Sequence, residues 1–256
     1  MMIMMMAIIN HIKKTEVECF GFFISILILF SCQKESHTTV DIIDKTVEAY
    51  GGLDKWNDMK QLSFDKEVTL YGEDGSLERA TDQFQLFQFH KPFGKIEWEE
   101  DSISHMIINE DGKIIKVEND TIISAPNATK NAGRAFFASE FVIKQPFDLL
   151  SDKATLTREN DTIFNGKDFY IISVAYKDEA PDADRWHYVI DKQTFLIVAN
   201  KVVLKDHTSW VENLTYDTTT DIKFNAHRKS YRLNNVGEKT YLRAEYFYTN
   251  YSVQYR

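Results

Sequence analysis

The chain has 256 residues, 43% hydrophobic and 27% charged, with 30 Lys and Arg against 39 Asp and Glu for a net charge of −9. That balance excludes nucleic acid as a partner, because a phosphate backbone calls for clustered cations. It also argues against docking on anionic lipid headgroups. The two cysteines, Cys19 and Cys32, both fall near the start, so no disulfide framework staples the remainder and core packing must hold it.

The first element in chain order is an apolar run from Phe20 to Phe30. It is shorter than the ~20 residues that span a bilayer and has the length of a secretory signal core. Lys13 and Lys14 supply the positive region ahead of it, with Glu16 and Glu18 between, and the cluster Met1, Met2, Met4, Met5 and Met6 leaves the start codon open. The run ends Leu29-Phe30-Ser31-Cys32. A small residue and then a thiol after a short apolar segment is how a bacterial lipoprotein signal reads. The expectation is cleavage of residues 1–31 and acylation of Cys32. Two or more acyl chains make such attachment stable, where one is marginal. The leader carries two lysines and two glutamates, so the mature chain keeps the charge of −9.

Residues 32–39 form a lipidated tether, since QKESHTT (33–39) is polar and lacks hydrophobic periodicity. Gln33-Lys34-Glu35-Ser36 resembles the surface-export tags that follow the lipidated cysteine in Bacteroidota-type lipoproteins. The location this implies is the cell envelope, anchored through Cys32 at the outer membrane on its periplasmic or surface face.

Residues 40–256 read as one domain, because no repeat, low-complexity tract or linker interrupts them. In VDIIDKTVEAY (40–50), Val40, Ile43, Val47 and Tyr50 recur at helical spacing, and Gly51-Gly52 ends the helix. Asp54 is placed to cap a short turn that carries Trp56 inward. Beyond Gln61 the period changes to two. Asp111-Gly112 is the strongest hairpin signal, with Glu73-Asp74-Gly75 and Asn165-Gly166 as others. Strands are expected at 169–176, 186–190, 196–204, 210–216, 221–233 and 241–253. Residues 130–143 (KNAGRAFFASEFVI) read as a helix, with Ala132, Phe136, Phe137, Glu140 and Phe141 near one stripe, closed by Pro146. In the last strand Leu242, Ala244, Tyr246 and Tyr248 share one side, while Tyr241, Phe247, Tyr251 and Val253 are assigned to the other. A strand apolar on both faces is covered twice or lines a cavity. The predicted architecture is α+β: a curled antiparallel sheet, an incomplete β-barrel, with an N-terminal helix and a central helical plug.

AYGGLDKW (49–56), FFASEFVIKQPFDLL (136–150), RWHYVIDKQTFLIVAN (185–200) and YLRAEYFYTNYSV (241–253) resemble blocks of an uncharacterised lipoprotein-anchored family common in Bacteroidota-type genomes. More distantly, that family resembles the LolA/LolB lipoprotein carriers, incomplete barrels whose helices plug an apolar cavity that holds acyl chains. The resemblance implies an architecture and a lipid or acyl ligand. It carries over no catalytic residue.

The chemistry-bearing residues assemble no active site. His37, His90, His105, His187, His207 and His227 are scattered, and the flanking residues of His187 face the opposite side of its strand. Asp178, Glu179, Asp182 and Asp184 lack the Gly turn and terminal Glu of a calcium loop. There is no nucleophile elbow, no phosphate loop, and Glu99-Glu100 face apart, unlike a glycosidase pair. The expectation is no enzyme, no cofactor and no metal. The remaining candidates are aromatic: Phe136, Phe137, Phe141 and Phe147 at helical spacing, read as core or as a lid, with Trp98, Trp186 and Trp210 on the walls of an apolar cavity. Ser102, Thr121, Thr162 and Thr218 each follow an aspartate, resembling a short periplasmic O-glycosylation acceptor. Two functions are weighed: a non-catalytic envelope protein that holds an apolar or acyl-chain ligand, and an interaction or scaffold module for an unknown protein partner.

Overall fold

The computed structural model describes residues 37–164, 166–177 and 184–256. Cys32, residues 33–36 of its tether and Asp178, Glu179 and Asp182 lie outside them, whereas Thr38 and Thr39, expected as tether, begin the first helix. Residues Thr38–Arg256 form a compact unit with its own core. It opens with helices α1 (Thr39–Ala49) and α2 (Leu53–Asp58). Strands β1 (Met59–Tyr71), β2 (Leu77–Gln88), β3 (Phe93–Glu100), β4 (Ile103–Glu110), β5 (Lys113–Glu118) and β6 (Thr121–Ile122) follow. Helix α3 (Pro126–Lys144) and a 3₁₀ turn (Phe147–Leu150) then lead to β7 (Ala154–Arg158), β8 (Thr162–Phe164) and β9 (Lys167–Tyr176). The chain ends in β10 (Arg185–Asp191), β11 (Ile197–Val203), β12 (Thr208–Tyr216), β13 (Asn225–Leu233) and β14 (Lys239–Tyr255).

All fourteen strands join one antiparallel sheet in the order β6-β5-β4-β3-β2-β1-β14-β13-β12-β11-β10-β9-β7, with β8 paired to β9. Two meanders are thus sutured by β1 and β14, the first and last strands, from Met59 opposite Tyr255 to Leu70 opposite Ala244. The ends β6 and β7 do not pair, so the sheet stays open. Helix α3 is the connection between those two edges. One apolar core draws residues from α1, α3 and both halves of the sheet, which requires the sheet to curl around its helices. This is the α+β incomplete barrel that the sequence predicts.

Local chemistry explains most element boundaries. Thr38 and Asp41 form a reciprocal capping box at the start of α1. Gly51, at φ 121°, lets the chain turn where a Cβ would stand 2.5 Å from the Asp221 carbonyl oxygen. Asp111 and Gly112, at φ 51° and 81°, make the β4–β5 hairpin. Helix α3 begins at Pro126 rather than 130, because proline suits the first helical turn, whose amides have no intrahelical partner.

Four expectations need correction. In α1 the buried face is Ile42, Ile43, Thr46 and Val47, whereas Val40 is 65% exposed, since it sits in the first turn outside the core-facing arc. The cap of α2 is Gly52, with no side-chain bond, so Asp54 lies within the helix; Trp56 still turns inward, stacking on Phe147 at 4.4 Å. Residues 221–224 do not extend β13. The Lys223 amide donates to the Tyr50 carbonyl, and Ile222 and Phe224 enter the core, so this segment seats the end of α1 instead. The last correction concerns β14. A register shift around Asn250, whose φ is 55°, inserts one residue and moves Tyr251 and Val253 onto the core face. Asn250 is held there by a 2.7 Å bond to Asp65.

Candidate ligand cavity

Helix α3 has two working faces. Ala132, Phe136, Ser139 and Ile143 recur at three- and four-residue spacing and are buried. Phe136 lies against Phe87, with ring centroids 5.3 Å apart, and over Gly94, where a Cβ would meet the Phe136 ring at 2.6 Å. The opposite face carries Arg134, Ala138 and Phe141 and looks into a cavity of about 980 Å³. Holding the helix by one face leaves the other free to bound this space.

The inner sheet surface forms the remaining wall. Along β14, Tyr246 and Tyr248 point inward, with Val68 and Lys66 of β1 beside them. The row continues through Gln83 to Trp98. Trp186 of β10 closes the far side, 4.7 Å from Phe141. Ile96 and Ile107 are buried behind these groups, and the exposed Arg79, Arg134, Asp184, Lys205 and Asp206 edge the opening.

The predicted aromatics therefore divide. Trp98, Phe141 and Trp186 line the cavity. Phe136 is 1% exposed and belongs to the solid core. Phe137 is 47% exposed, because one step along the helix turns it away from the sheet. Trp210 sits on the opposite face of the sheet, beside the small cluster of Phe169, Val189 and Ala199. Phe147 packs under Trp56. Period-two alternation carries the reason for Trp210: its neighbours Ser209 and Val211 face inward, so it cannot.

Sequence reasoning overlooked the polar residues of the interior. Lys66 reaches Ser139 of α3 with an Nζ to Oγ distance of 3.2 Å and stands 5.4 Å from the Tyr246 ring and 5.7 Å from the Tyr248 ring. Burial pulls its ammonium below the ordinary lysine range, Tyr248 opposes this, and the neighbouring Arg228 adds to it. Arg228 is only 3% exposed, and its Nε donates to the Asn213 side-chain oxygen at 2.8 Å. Asn213 in turn donates to the Ile197 carbonyl at 2.7 Å, which fixes the guanidinium. Burial pushes the Tyr246 phenol up, as does Tyr248, while Arg228 opposes them, so Tyr246 supplies no negative charge. Period-two alternation places Lys66, Arg228 and Tyr246 on the inner face, although a charged side chain in a strand ordinarily faces solvent.

The other polar candidates remain apart. His187 bonds Glu159 at 2.8 Å on the outer face, and His227 bonds Glu245 at 2.6 Å and stacks on Phe247. Among the described residues no three His, Cys, Asp or Glu side chains gather as a metal site. No helix among them is long and apolar enough to cross a membrane. Ser102, Thr121, Thr162 and Thr218 are all exposed, Ser102 within and Thr121 just after tight turns of positive φ.

An open antiparallel sheet curled around a helix, with a cavity between them, defines the fold as a half-barrel. The chain is similar in fold to a LolA-superfamily protein from Nitrosomonas europaea, with a TM-score of 0.56 at 8% identity over 86% of this chain and 94% of that one. It is also similar to a putative outer membrane lipoprotein-sorting protein domain from Vibrio parahaemolyticus, with a TM-score of 0.52, 11% identity and coverage of 84% and 92%. A DUF1329 family protein from Desulfovibrio piger gives a TM-score of 0.51 at 10% identity, covering 85% and 94%. No family model and no curated protein matches the sequence. At these identities the likeness establishes the fold.

Proposed function

We propose that this protein is a non-catalytic, lipid-anchored component of a bacterial envelope that holds an apolar or acyl-chain ligand inside its half-barrel. The observation that carries the reading is the cavity between α3 and the inner sheet. Its volume of about 980 Å³ lies at the upper end of the roughly 300–1,000 Å³ of ligand sites. Trp98, Phe141, Trp186, Tyr246 and Tyr248 line it, and each buried methylene of a chain would gain ~0.8 kcal/mol. The half-barrel fold, shared with a lipoprotein-sorting domain, and the Leu29-Phe30-Ser31-Cys32 signal agree with this reading. The anchor would be the acylated Cys32, placing the domain at the outer membrane.

Native mass spectrometry of the full chain, purified from a bacterial envelope and followed by lipid extraction, tests the proposal. A co-purifying acylated species in excess of the lipid on Cys32 is expected. A chain that carries only its own anchor and takes up no added dodecanol overturns it, and would favour the interaction module.

The exposed Ser102, Thr121, Thr162 and Thr218 give a separate expectation. Protein isolated from its native host should show added glycan mass, lost when all four hydroxyls are removed (Ser102→Ala, Thr121→Val, Thr162→Val, Thr218→Val). An unmodified native mass would end this idea.

A further inference from the structure

We infer that the cavity selects an anionic amphiphile, with a carboxylate or phosphate monoester headgroup held between Lys66 and Arg228. This inference rests on the apolar-ligand reading above and adds the chemical class of the ligand. The two cations flank β14 on the inner face. Lys66 is paired with Tyr248 from the β1 side, and Arg228 with Tyr246 from the β13 side. Strands lie about 4.8 Å apart, so both cations stand over one short stretch of β14, in neighbouring rows.

Neither cation has an acidic partner among the described residues. The one hydrogen bond of Lys66 is to the Ser139 hydroxyl and that of Arg228 is to Asn213, both neutral. Unpaired charge is costly to bury, and folded proteins normally pair it. The acids that could serve are held elsewhere or lie at the rim. Glu100 pairs with Arg79, Asp206 with His207, and Asp184 is exposed. The chain as a whole is acidic, at −9, yet its cavity lining carries more basic than acidic side chains. A site that is cationic within an anionic surface is built for an anion.

The geometry also suits such a headgroup. Asn213 holds only the Nε of Arg228, and the two terminal nitrogens have no hydrogen-bond partner among the described residues. They remain available for paired contact with two oxygens of one group, while Lys66 supplies a point charge. Around them, Trp98, Phe141 and Trp186 provide the apolar walls for a chain.

The test is calorimetric titration of the full chain carrying Cys32→Ser, so that no acyl group of its own competes, with dodecanoate, dodecyl phosphate, dodecanol and dodecyltrimethylammonium below their micellar concentrations. Dodecanoate or dodecyl phosphate is expected to bind about 10- to 100-fold more tightly than dodecanol, the usual value of a charge-assisted contact. The preferred anion of the two identifies the headgroup source. Lys66→Met and Arg228→Met, checked for native fold by circular dichroism, are expected to remove most of that preference, bringing the anions down to the affinity each variant shows for dodecanol. Arg228→Lys restores part of it. Equal binding of the alcohol and both anions, or a preference that survives both substitutions, overturns the anion site but leaves the apolar-ligand reading standing. Failure of all four probes to bind overturns both.

Discussion

Phe141→Glu is expected to abolish dodecanol uptake by the cavity, and Phe137→Glu is expected to leave it intact. The two residues lie four positions apart on one helix and are chemically identical, so the contrast isolates geometry. Phe141 faces the cavity, 4.7 Å from Trp186 and 6.3 Å from Tyr176. A carboxylate there replaces apolar wall with a charge that must keep water, at roughly 2–3 kcal/mol or more, which lowers affinity by about 30- to 150-fold or more. Phe137 is 47% exposed and lines no part of the cavity. A glutamate at that position stays in solvent, and the lost edge contact with the Phe136 ring costs about 0.5–1.5 kcal/mol of stability. Titration calorimetry with dodecanol reads the outcome. Loss of binding in the Phe137→Glu protein, or its retention in the Phe141→Glu protein, would mean the ligand does not occupy this cavity.

The second large effect is on stability, at the seat of α3. Gly94→Ala is expected to destabilise the fold by about 1–3 kcal/mol, and Phe136→Ala by about 3–5 kcal/mol. The added Cβ of Gly94→Ala would stand 2.6 Å from Phe136 Cζ and 3.1 Å from the Leu86 carbonyl oxygen. The ring cannot simply swing aside, because Phe87 and Phe137 bracket it at 5.3 and 5.7 Å. Phe136→Leu in the Gly94→Ala background should recover part of the loss, giving a coupling term in a double-mutant cycle measured by urea unfolding. Strict additivity would show that the helix does not seat here. Since the same helix presents Phe141 to the cavity, Gly94→Ala is also expected to weaken ligand binding.

These two predictions mark where sequence reasoning ended. Helical spacing across 130–143 places Phe136, Phe137 and Phe141 close together on one stripe, and nothing in the period tells which of them meets the sheet. That depends on Gly94, a residue some forty positions earlier that lets the Phe136 ring approach. Likewise, the aromatics of the last strand suggest two apolar faces. The inserted residue at Asn250 returns Tyr251 and Val253 to the core side, so the outer face is less apolar than alternation implies. A bulge is a partner-dependent event, set here by the pairing of β14 with β1 and by the Asn250 contact to Asp65. The ionic interior was missed for a related reason. Lys66 and Arg228 sit at inward positions of their strands, but a lysine and an arginine in alternating segments are read as solvent-facing. Only the pairing of β1, β14, β13 and β12 in the curled sheet puts them against Tyr246, Tyr248 and Asn213.

The sequence by itself determined the secondary structure and the fold class. Capping residues, the Asp-Gly turn, the change of period after Gln61 and the single long helical insertion are local signals, and local chemistry is enough to read them. The run Leu29-Phe30-Ser31-Cys32, on which the expected anchor rests, is likewise a local feature of the sequence. What only the tertiary structure decided is which faces meet: the suture of β1 to β14, the open edges β6 and β7 spanned by α3, and the resulting cavity with its two cations. Those features arise from contacts between residues far apart in the chain, as Lys66 with Tyr248, and depend on packing volume and strand register. Neither leaves a periodic trace in one sequence.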